Sequence, residues 1–457
     1  MAEEVDVVVI GMGVGGEEVA GRLAQAGLSV VGIESRLVGG ECPYYACVPT
    51  KMMVRAANLL AEARRVPGMA GQVDVEPDWS PVAARIRDEA TDDWDDTVAV
   101  RRFEDQGGTF VRGRGRLLGP GRVEVDGGPA DGTVYEARRA VVVATGTEPV
   151  VPPIDGLRDT SYWTNRDAVQ AEEVPERLLV LGGGAIGLEL AQVFARFGSR
   201  VTVVEAADRL LAVEEPESSA LAATALARDG VTAHLGTSAE RVQQRGDHFL
   251  VALDDGGQVI GDRLLVATGR RAMLSGLGLD SVGLDPHQRW LRTDDRMRAG
   301  EKLWAVGDLT GNGAYTHVAF YQADIAVRDI LGKGGPSADY RALPRVTFTD
   351  PEIGAVGLTE AQARERGLSV RVATYPLPRS ARGWIHKAGN DGFVKLVADA
   401  DRGVLVGATT AGPSGGEMLA GVSVAVHAEV PLDRLGTMIY AYPTFYRAIG
   451  DAIRELG

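Results

Sequence analysis

The sequence predicts an α/β protein made of two βαβ units and a C-terminal α+β domain, and three observations predict it. An apolar β-branched run leads into a glycine triplet twice, each time followed by a helical stretch and a second apolar run ending in Glu. Both halves then close alike, on an apolar run into Thr-Gly. From about Leu343 the pattern changes to short alternating runs, as in an antiparallel sheet.

The first copy is Val5-Asp6-Val7-Val8-Val9-Ile10, then Gly11-x-Gly13-x-x-Gly16, a helix to about Gln25, and a strand Ser29–Ile33 ending in Glu34. The second is Arg177–Leu181, then Gly182-x-Gly184-x-x-Gly187, a helix to about Phe197, and a strand Arg200–Val204 ending in Glu205. Each is the fingerprint of a Rossmann-like dinucleotide-binding domain. The first two glycines allow a tight turn and close approach to a pyrophosphate, the third lets helix pack on strand, and the helix N-terminus faces the phosphates. The Glu ending the second strand is placed to accept from a ribose hydroxyl pair. The closing runs are Val141–Ala144 into Thr145-Gly146 and Leu264–Ala267 into Thr268-Gly269. The first copy is longer because a cysteine segment and a charged helical region, about Ser80–Gln106, are inserted in it. In the third region, Val346–Phe348, Phe393–Ala398 and Val404–Thr410 read as strands and Glu417–His427 as an amphipathic helix.

Composition narrows the function. The chain has 457 residues, 45% hydrophobic and 24% charged, too long for one ordinary core. A net charge of −15 opposes binding to nucleic-acid phosphates. No apolar stretch approaches the ~20 residues of a membrane span. The start, Met1-Ala2-Glu3-Glu4, is acidic where a secretory signal is basic, so a cytoplasmic protein is expected.

There are two cysteines, Cys42 and Cys47. A close pair in a long cytosolic chain points to redox or metal chemistry. A zinc site needs four ligands and no His or further Cys is near, so no metal is expected. In a regular helix residues five apart have Cα atoms about 8–9 Å apart, whereas a disulfide needs roughly 4.4–6.8 Å. The pair can close only across an irregular turn, and Pro43 favours one. A helix is expected to start near Pro49, with Met52, Ala56, Leu59 and Leu60 on its apolar face. Cys47 then lies just before a helix N-terminus, where the dipole and Lys51 favour a thiolate. The bland alternative is two buried, inert cysteines.

Together these motifs resemble the class I flavoprotein disulfide reductases: dihydrolipoamide dehydrogenase, glutathione reductase, mercuric reductase and relatives. The resemblance extends to Ala305-Val306-Gly307-Asp308, to Thr316-His317-Val318-Ala319, and to Phe348-Thr349-Asp350-Pro351-Glu352 through Val356-Gly357-Leu358-Thr359-Glu360. It implies an FAD domain from residues 1–149 and 272–338, a nicotinamide-nucleotide domain from 150–271, and an interface domain from 339–457 that makes a homodimer. It places Gly11, Gly13, Gly16, Gly40, Thr145, Gly146, Gly307, Thr316 and His317 about FAD, with Glu34 on the adenosine ribose and Asp308 on the ribityl chain. Gly182, Gly184, Gly187, Glu205 and Gly269 fall to the nicotinamide cofactor. Glu205 favours NADH over NADPH because its carboxylate repels a 2′-phosphate, although Arg209 is nearby. Cys47 becomes the thiolate beside the flavin, Cys42 the interchange thiol, and Lys51 the flavin N5 neighbour paired with Glu189. The alternative for Glu189 is an ordinary helix-surface carboxylate.

The C-terminal segment departs from the family. Disulfide-reducing members carry His-Pro-Thr with a Glu five residues after the His. This chain reads Tyr442-Pro443-Thr444, with Arg447 in the Glu position. A phenol is a poor base at neutral pH, and nothing in the sequence orients it. Two readings of Tyr442 stay open, a proton donor or a packed aromatic. Glu41 adds a negative charge where the family usually has Thr, and Tyr44 and Tyr45 crowd the loop between the cysteines. The expected activity is hydride passage from the nicotinamide cofactor through flavin and the Cys42–Cys47 disulfide to a small disulfide or other thiol-reactive acceptor. The alternatives are a flavin-only electron transferase (quinone reductase or transhydrogenase) and a flavoprotein without activity.

Overall fold

The computed structural model describes residues 2–457. In chain order the elements that matter for the site are β1 (Glu3–Ile10), α1 (Val14–Gln25), β2 (Val30–Glu34), α2 (Glu41–Tyr44), α3 (Cys47–Arg64), β3 (Thr109–Arg112), β4 (Val134–Val143), β5 (Arg177–Leu181), α4 (Ala185–Arg196), β6 (Arg200–Glu205), β7 (Arg263–Val266), β8 (Leu303–Ala305) and α5 (Thr316–Ile330). They are followed by β9 (Pro344–Thr347), β10 (Glu352–Gly357), β11 (Val370–Pro376), β12 (Phe393–Asp399), β13 (Val404–Gly412) and α6 (Gly415–His427). The protein is α/β with two Rossmann-like units and a C-terminal α+β region, as the sequence predicts.

The chain divides into two compact units. One comprises Met1–Pro49, Ala84–Val150 and Gly269–Asp339; the other comprises Thr50–Ala83, Val151–Thr268 and Tyr340–Gly457. In the first unit the sheet runs Arg298–Gly300, β8, β4, β1, β2, β3, and β1 pairs in parallel with both β2 and β4. Strand β1 is apolar along its inner half because both faces are covered. Val7 and Val9 pack in one cluster with Val142, while Val8 and Ile10 pack in another with Val141 and Val143.

In the second unit Thr232–Leu235, β6, β5 and β7 form a parallel sheet, with Leu181 opposite Val204 and Val266. A separate five-stranded antiparallel sheet runs β9, β10, β13, β12, β11, and α6 packs its apolar face on it through Met418, Leu419 and Val422. The alternating C-terminal runs fold as predicted.

One local expectation needs correction, the apolar face of α3. Helix α3 starts at Cys47, close to Pro49 as expected, so Pro49 lies inside the first turn, where its missing N–H has no intrahelical partner to lose. The packed face of α3 is Met53, Ala57 and Ala61, whereas Leu59 is exposed. Small alanines let the helix sit close to its neighbours, a property that hydrophobicity alone does not reveal. The charged insertion is helical over most of its length, as the sequence predicts. It is a short helix Ser80–Arg85, a π-turn Ile86–Ala90, and a helix Thr97–Asp105, with Asp92, Asp93 and Trp94 all at positive φ between the last two.

Candidate functional site

The two glycine turns have the same construction. A Cβ on Gly16 would lie 1.9 Å from Gly11 O, and one on Gly187 would lie 2.2 Å from Gly182 O. The third glycine is therefore a packing requirement within each turn. The middle glycine differs: a Cβ on Gly184 would meet nothing within 4 Å and one on Gly13 only Gly40 Cα at 4.0 Å. That open space lies at the start of α1 and α4, and neither helix has a side-chain cap. Uncapped N–H groups facing a glycine-lined opening fit a pyrophosphate, so the residues suit the dinucleotides implied above.

The acids also match. Glu34 accepts from Met12 N–H at 2.8 Å and from Arg36 N–H at 2.7 Å; Glu205 accepts from Gly183 N–H at 2.5 Å and from Ala207 N–H at 2.7 Å. Each carboxylate braces its own glycine turn, with lone pairs left for ribose hydroxyls. The sequence pattern suggested only the second role.

The cysteine segment is fastened to the first turn. Gly39 N–H donates to Met12 O at 2.7 Å, and Gly40, at φ +68°, brings its Cα so close to Gly13 that a Cβ would sit 2.9 Å from Gly13 Cα. Helix α2 carries Cys42, and the chain breaks at Tyr45 (φ −135°) before α3 begins on Cys47. The chain between the two cysteines is thus irregular, not one continuous helix. The Cys47 sulfur lies 3.3 Å from Thr316 Oγ1. Cys47 and Thr316 are the first residues of α3 and α5, so the N-terminal ends of two helices meet at this sulfur. His317 is exposed and stacks on Tyr315 with centroids 5.2 Å apart.

Arg270 was missed by sequence reasoning, although it directly follows the predicted Gly269. Its Nη2 is 3.5 Å from the Glu41 carboxylate, and its guanidinium donates to Thr147 Oγ1 and Thr147 O, both at 2.8 Å. Thr147 in turn donates to Asp308 Oδ2 at 3.1 Å. The additional charge of Glu41 is therefore answered. Asp308 has its pKa raised because burial disfavours its charge, Arg270 and Thr147 only partly opposing this. A carboxylate this short of donors suits a polyol such as a ribityl chain. Thr145 is exposed beside the first turn, and Gly146 follows at φ +67°.

A cavity of about 450 Å³ opens at Cys42, lined also by Thr316, Phe320, Tyr44 and Val98. Its charged lining is Glu17, Glu89, Asp92 and Asp95 against Arg102 alone. Trp94 Nε1 donates to Tyr44 O at 3.3 Å, tying the positive-φ loop to the cysteine segment. Tyr44 faces this cavity with its pKa pushed up to about 12, by burial first and then by neighbouring carboxylates. Tyr45 is not part of the lining.

In the second unit Lys51 Nζ donates to Glu189 Oε2 at 2.6 Å, and Glu189 is only 6% exposed, which excludes a surface carboxylate. Tyr442 is 70% exposed, and the Arg447 guanidinium lies 5.7 Å from its ring centroid. Arg447, which stands where the family has Glu, thus contacts the Tyr442 ring in a cation–π arrangement. Arg209 follows Glu205 after three intervening residues, but it donates to Ser219 Oγ at 2.6 Å and Ala212 O at 2.5 Å. Among the described residues no group of three or more His, Cys, Asp or Glu is placed to hold a metal, and no helix is long and apolar enough to cross a membrane.

Residues 5–323 match the pyridine nucleotide-disulphide oxidoreductase family, and residues 343–453 match its dimerisation domain. The chain is 32% identical to a dihydrolipoyl dehydrogenase of Thermus scotoductus, covering 99% of this chain and 97% of that one. It is 34% identical to a mercuric reductase of Streptomyces lividans, covering 97% and 94%. Among solved structures, the Cu(II) complex of RclA, an HOCl-induced flavoprotein disulfide reductase of Escherichia coli, superposes with a TM-score of 0.88 at 27% identity over both full chains. LpdA of Mycobacterium tuberculosis gives 0.86 at 28% identity, again over both full chains. The chain belongs to the pyridine nucleotide-disulphide oxidoreductase family and is an NAD(P)H-dependent flavoprotein oxidoreductase with that family's dimerisation domain.

Proposed function

We propose that this enzyme uses NADH to reduce a small, uncharged or cationic thiol-reactive oxidant through the Cys42–Cys47 pair. FAD, when bound, supplies two-electron transfer between nicotinamide and disulfide. The first turn (Gly11, Gly13, Gly16), Gly40, Thr145, Gly146, Gly307 and Asp308 hold it in this reading. The second (Gly182, Gly184, Gly187, Gly269) holds the nicotinamide nucleotide. Cys47 is the flavin-side thiolate and Cys42 the interchange thiol. In the dithiol state the Cys42 thiolate attacks the acceptor, forming one bond to sulfur as the leaving group departs. Cys47 then attacks the Cys42 sulfur, which re-forms the disulfide and releases the reduced product.

The observation that carries the acceptor class is the cavity at Cys42, where four carboxylates face one guanidinium that is itself engaged with Glu17. Anionic disulfides are repelled there, while neutral and cationic oxidants are not. The Tyr442–Arg447 pair supports the same reading. Without an imidazole to protonate a poor leaving thiol, efficient turnover requires an acceptor whose leaving group needs no proton. Glu205, with Arg209 turned to Ser219 and Ala212, supports NADH over NADPH. A cytoplasmic, thiol-reducing setting suits this chemistry.

The test is anaerobic titration with NADH, followed by turnover assays on anionic, neutral and cationic acceptors. The long-wavelength thiolate–flavin charge-transfer band is expected, with Cys42→Ser and Cys47→Ser variants inactive on disulfides. If both variants keep full activity with every acceptor, electrons leave directly from the flavin and the proposal fails.

A further inference from the structure

Helix α4 carries a polar stripe on the face that it buries. Glu189, Gln192 and Arg196 stand at i, i+3 and i+7, one above another, and are 6%, 3% and 3% exposed. Buried polar groups are costly unless partnered, so their partners identify what the stripe is for. All three reach one segment, Phe348–Asp350, which links β9 to β10. Phe348 N–H donates to Glu189 Oε1 at 2.8 Å. Asp350 N–H donates to Gln192 Oε1 at 2.7 Å, and Gln192 Nε2 donates back to Asp350 O at 3.0 Å. The Asp350 carboxylate accepts from Arg196 Nη2 at 2.8 Å and from Arg65 Nη2 of the segment after α3 at 2.5 Å. Arg196 is itself fixed on its other sides, by Asp229 at 3.0 Å and Asn58 at 2.7 Å.

The segment also touches the ammonium that Glu189 holds. Lys51 Nζ lies 4.7 Å from the centroid of the Phe348 ring. One residue therefore determines two things: its N–H fixes which way the Glu189 carboxylate turns, and its ring covers the ammonium paired with that carboxylate. A clamp serving only to join helix to loop would need the Asp350–Arg196 pair and nothing at Phe348.

We propose that Phe348–Asp350, anchored through Asp350 to Arg196 and Arg65, is the positioning element for the Lys51–Glu189 pair and so tunes the flavin's reactivity from the C-terminal domain. This rests on the reading that Lys51 faces the flavin. Asp350→Asn keeps the shape and the backbone bonds to Gln192 but removes the charge that both arginines grip. Misplacement of a reacting group by about 1 Å can cost 10²-fold in rate.

Stopped-flow reduction of the holoenzyme by NADH, with the charge-transfer band recorded, reads the effect. Asp350→Asn is expected to slow flavin reduction at least tenfold and weaken the band, with the NADH KM unchanged. Phe348→Leu, which keeps the N–H and uncovers the ammonium, is expected to shift the band in the same direction; it decides the matter if the first variant does not fold. If either folded variant has a lowered Tm but the wild-type band and rate, the segment is only structural and the proposal is overturned. Lys51→Ala separates the underlying reading: a wild-type band in that variant refutes the position of Lys51, whatever the segment does.

Discussion

The two nucleotide modules share a turn but diverge in what surrounds it. In both, the third glycine packs against the carbonyl of the first, and a Glu at the end of the second strand braces the turn. The residue after the first glycine shows the divergence. It is Gly183 in the second module, where a Cβ would strike Leu210 and Glu205, but Met12 in the first, fully buried. Met12 packs in one cluster with Val38 and Phe103, both from the stretch inserted after β2. The first module has thus become the platform for the cysteine segment, and the second has remained a nucleotide site. An identical motif sets the shared part, and an insertion packed on one neighbouring residue sets the difference.

The largest effects should separate the modules. Gly16→Ala forces an overlap with backbone and should give protein without flavin, destabilised by about 3 kcal/mol or more, as read by the flavin spectrum and Tm. Gly187→Ala should leave a yellow, folded protein with NADH binding lost; loss of flavin there as well would break the comparison. Next, Cys47→Ser should cut NADH-driven disulfide turnover by on the order of 10³-fold or more, while NADH still bleaches the flavin. Glu205→Ala removes a charge-assisted acceptor worth about 1.5–3 kcal/mol. Its NADH KM should rise roughly tenfold or more with kcat little changed, narrowing the gap to NADPH.

A smaller effect tests Asp308. Its folded-state pKa is raised, so the folded protein binds the proton more tightly than the unfolded chain. Its contribution is fully present below the usual carboxylate pKa and is lost as pH rises through the raised value. Flavin-free protein should therefore lose stability as pH climbs from about 4, the unperturbed range, and Asp308→Asn should flatten that slope in a melting series while weakening flavin retention. The smallest effect belongs to Tyr442→Phe. The cation–π contact with Arg447, worth about 0.5–1 kcal/mol at an exposed site, survives loss of the hydroxyl. Turnover within about twofold of wild type is expected, and a larger fall would restore a proton role.

Much of the site was legible because its chemistry depends on local sequence. The two glycine turns follow from the steric pattern of neighbouring glycines, and they fold where that pattern puts them. The packed face of α3 was not legible. Leu59 is more apolar than Ala57, yet close packing chose the alanines. Arg270 and the Arg447–Tyr442 contact were also hidden, because neither belongs to a pattern and each matters only through what it touches.

The sequence by itself determined the two modules, the antiparallel third region and the redox pair, because hydrophobic period, glycine sterics and residue chemistry act over short spans. Only the tertiary structure decided that Glu41 meets Arg270, that Arg209 turns away from Glu205, and that Phe348 meets both Lys51 and Glu189. The first and last of these contacts join residues far apart in the chain, and the Arg209 contacts are one choice among several local partners. Their free energies depend on distance and burial, which no spacing in the sequence encodes.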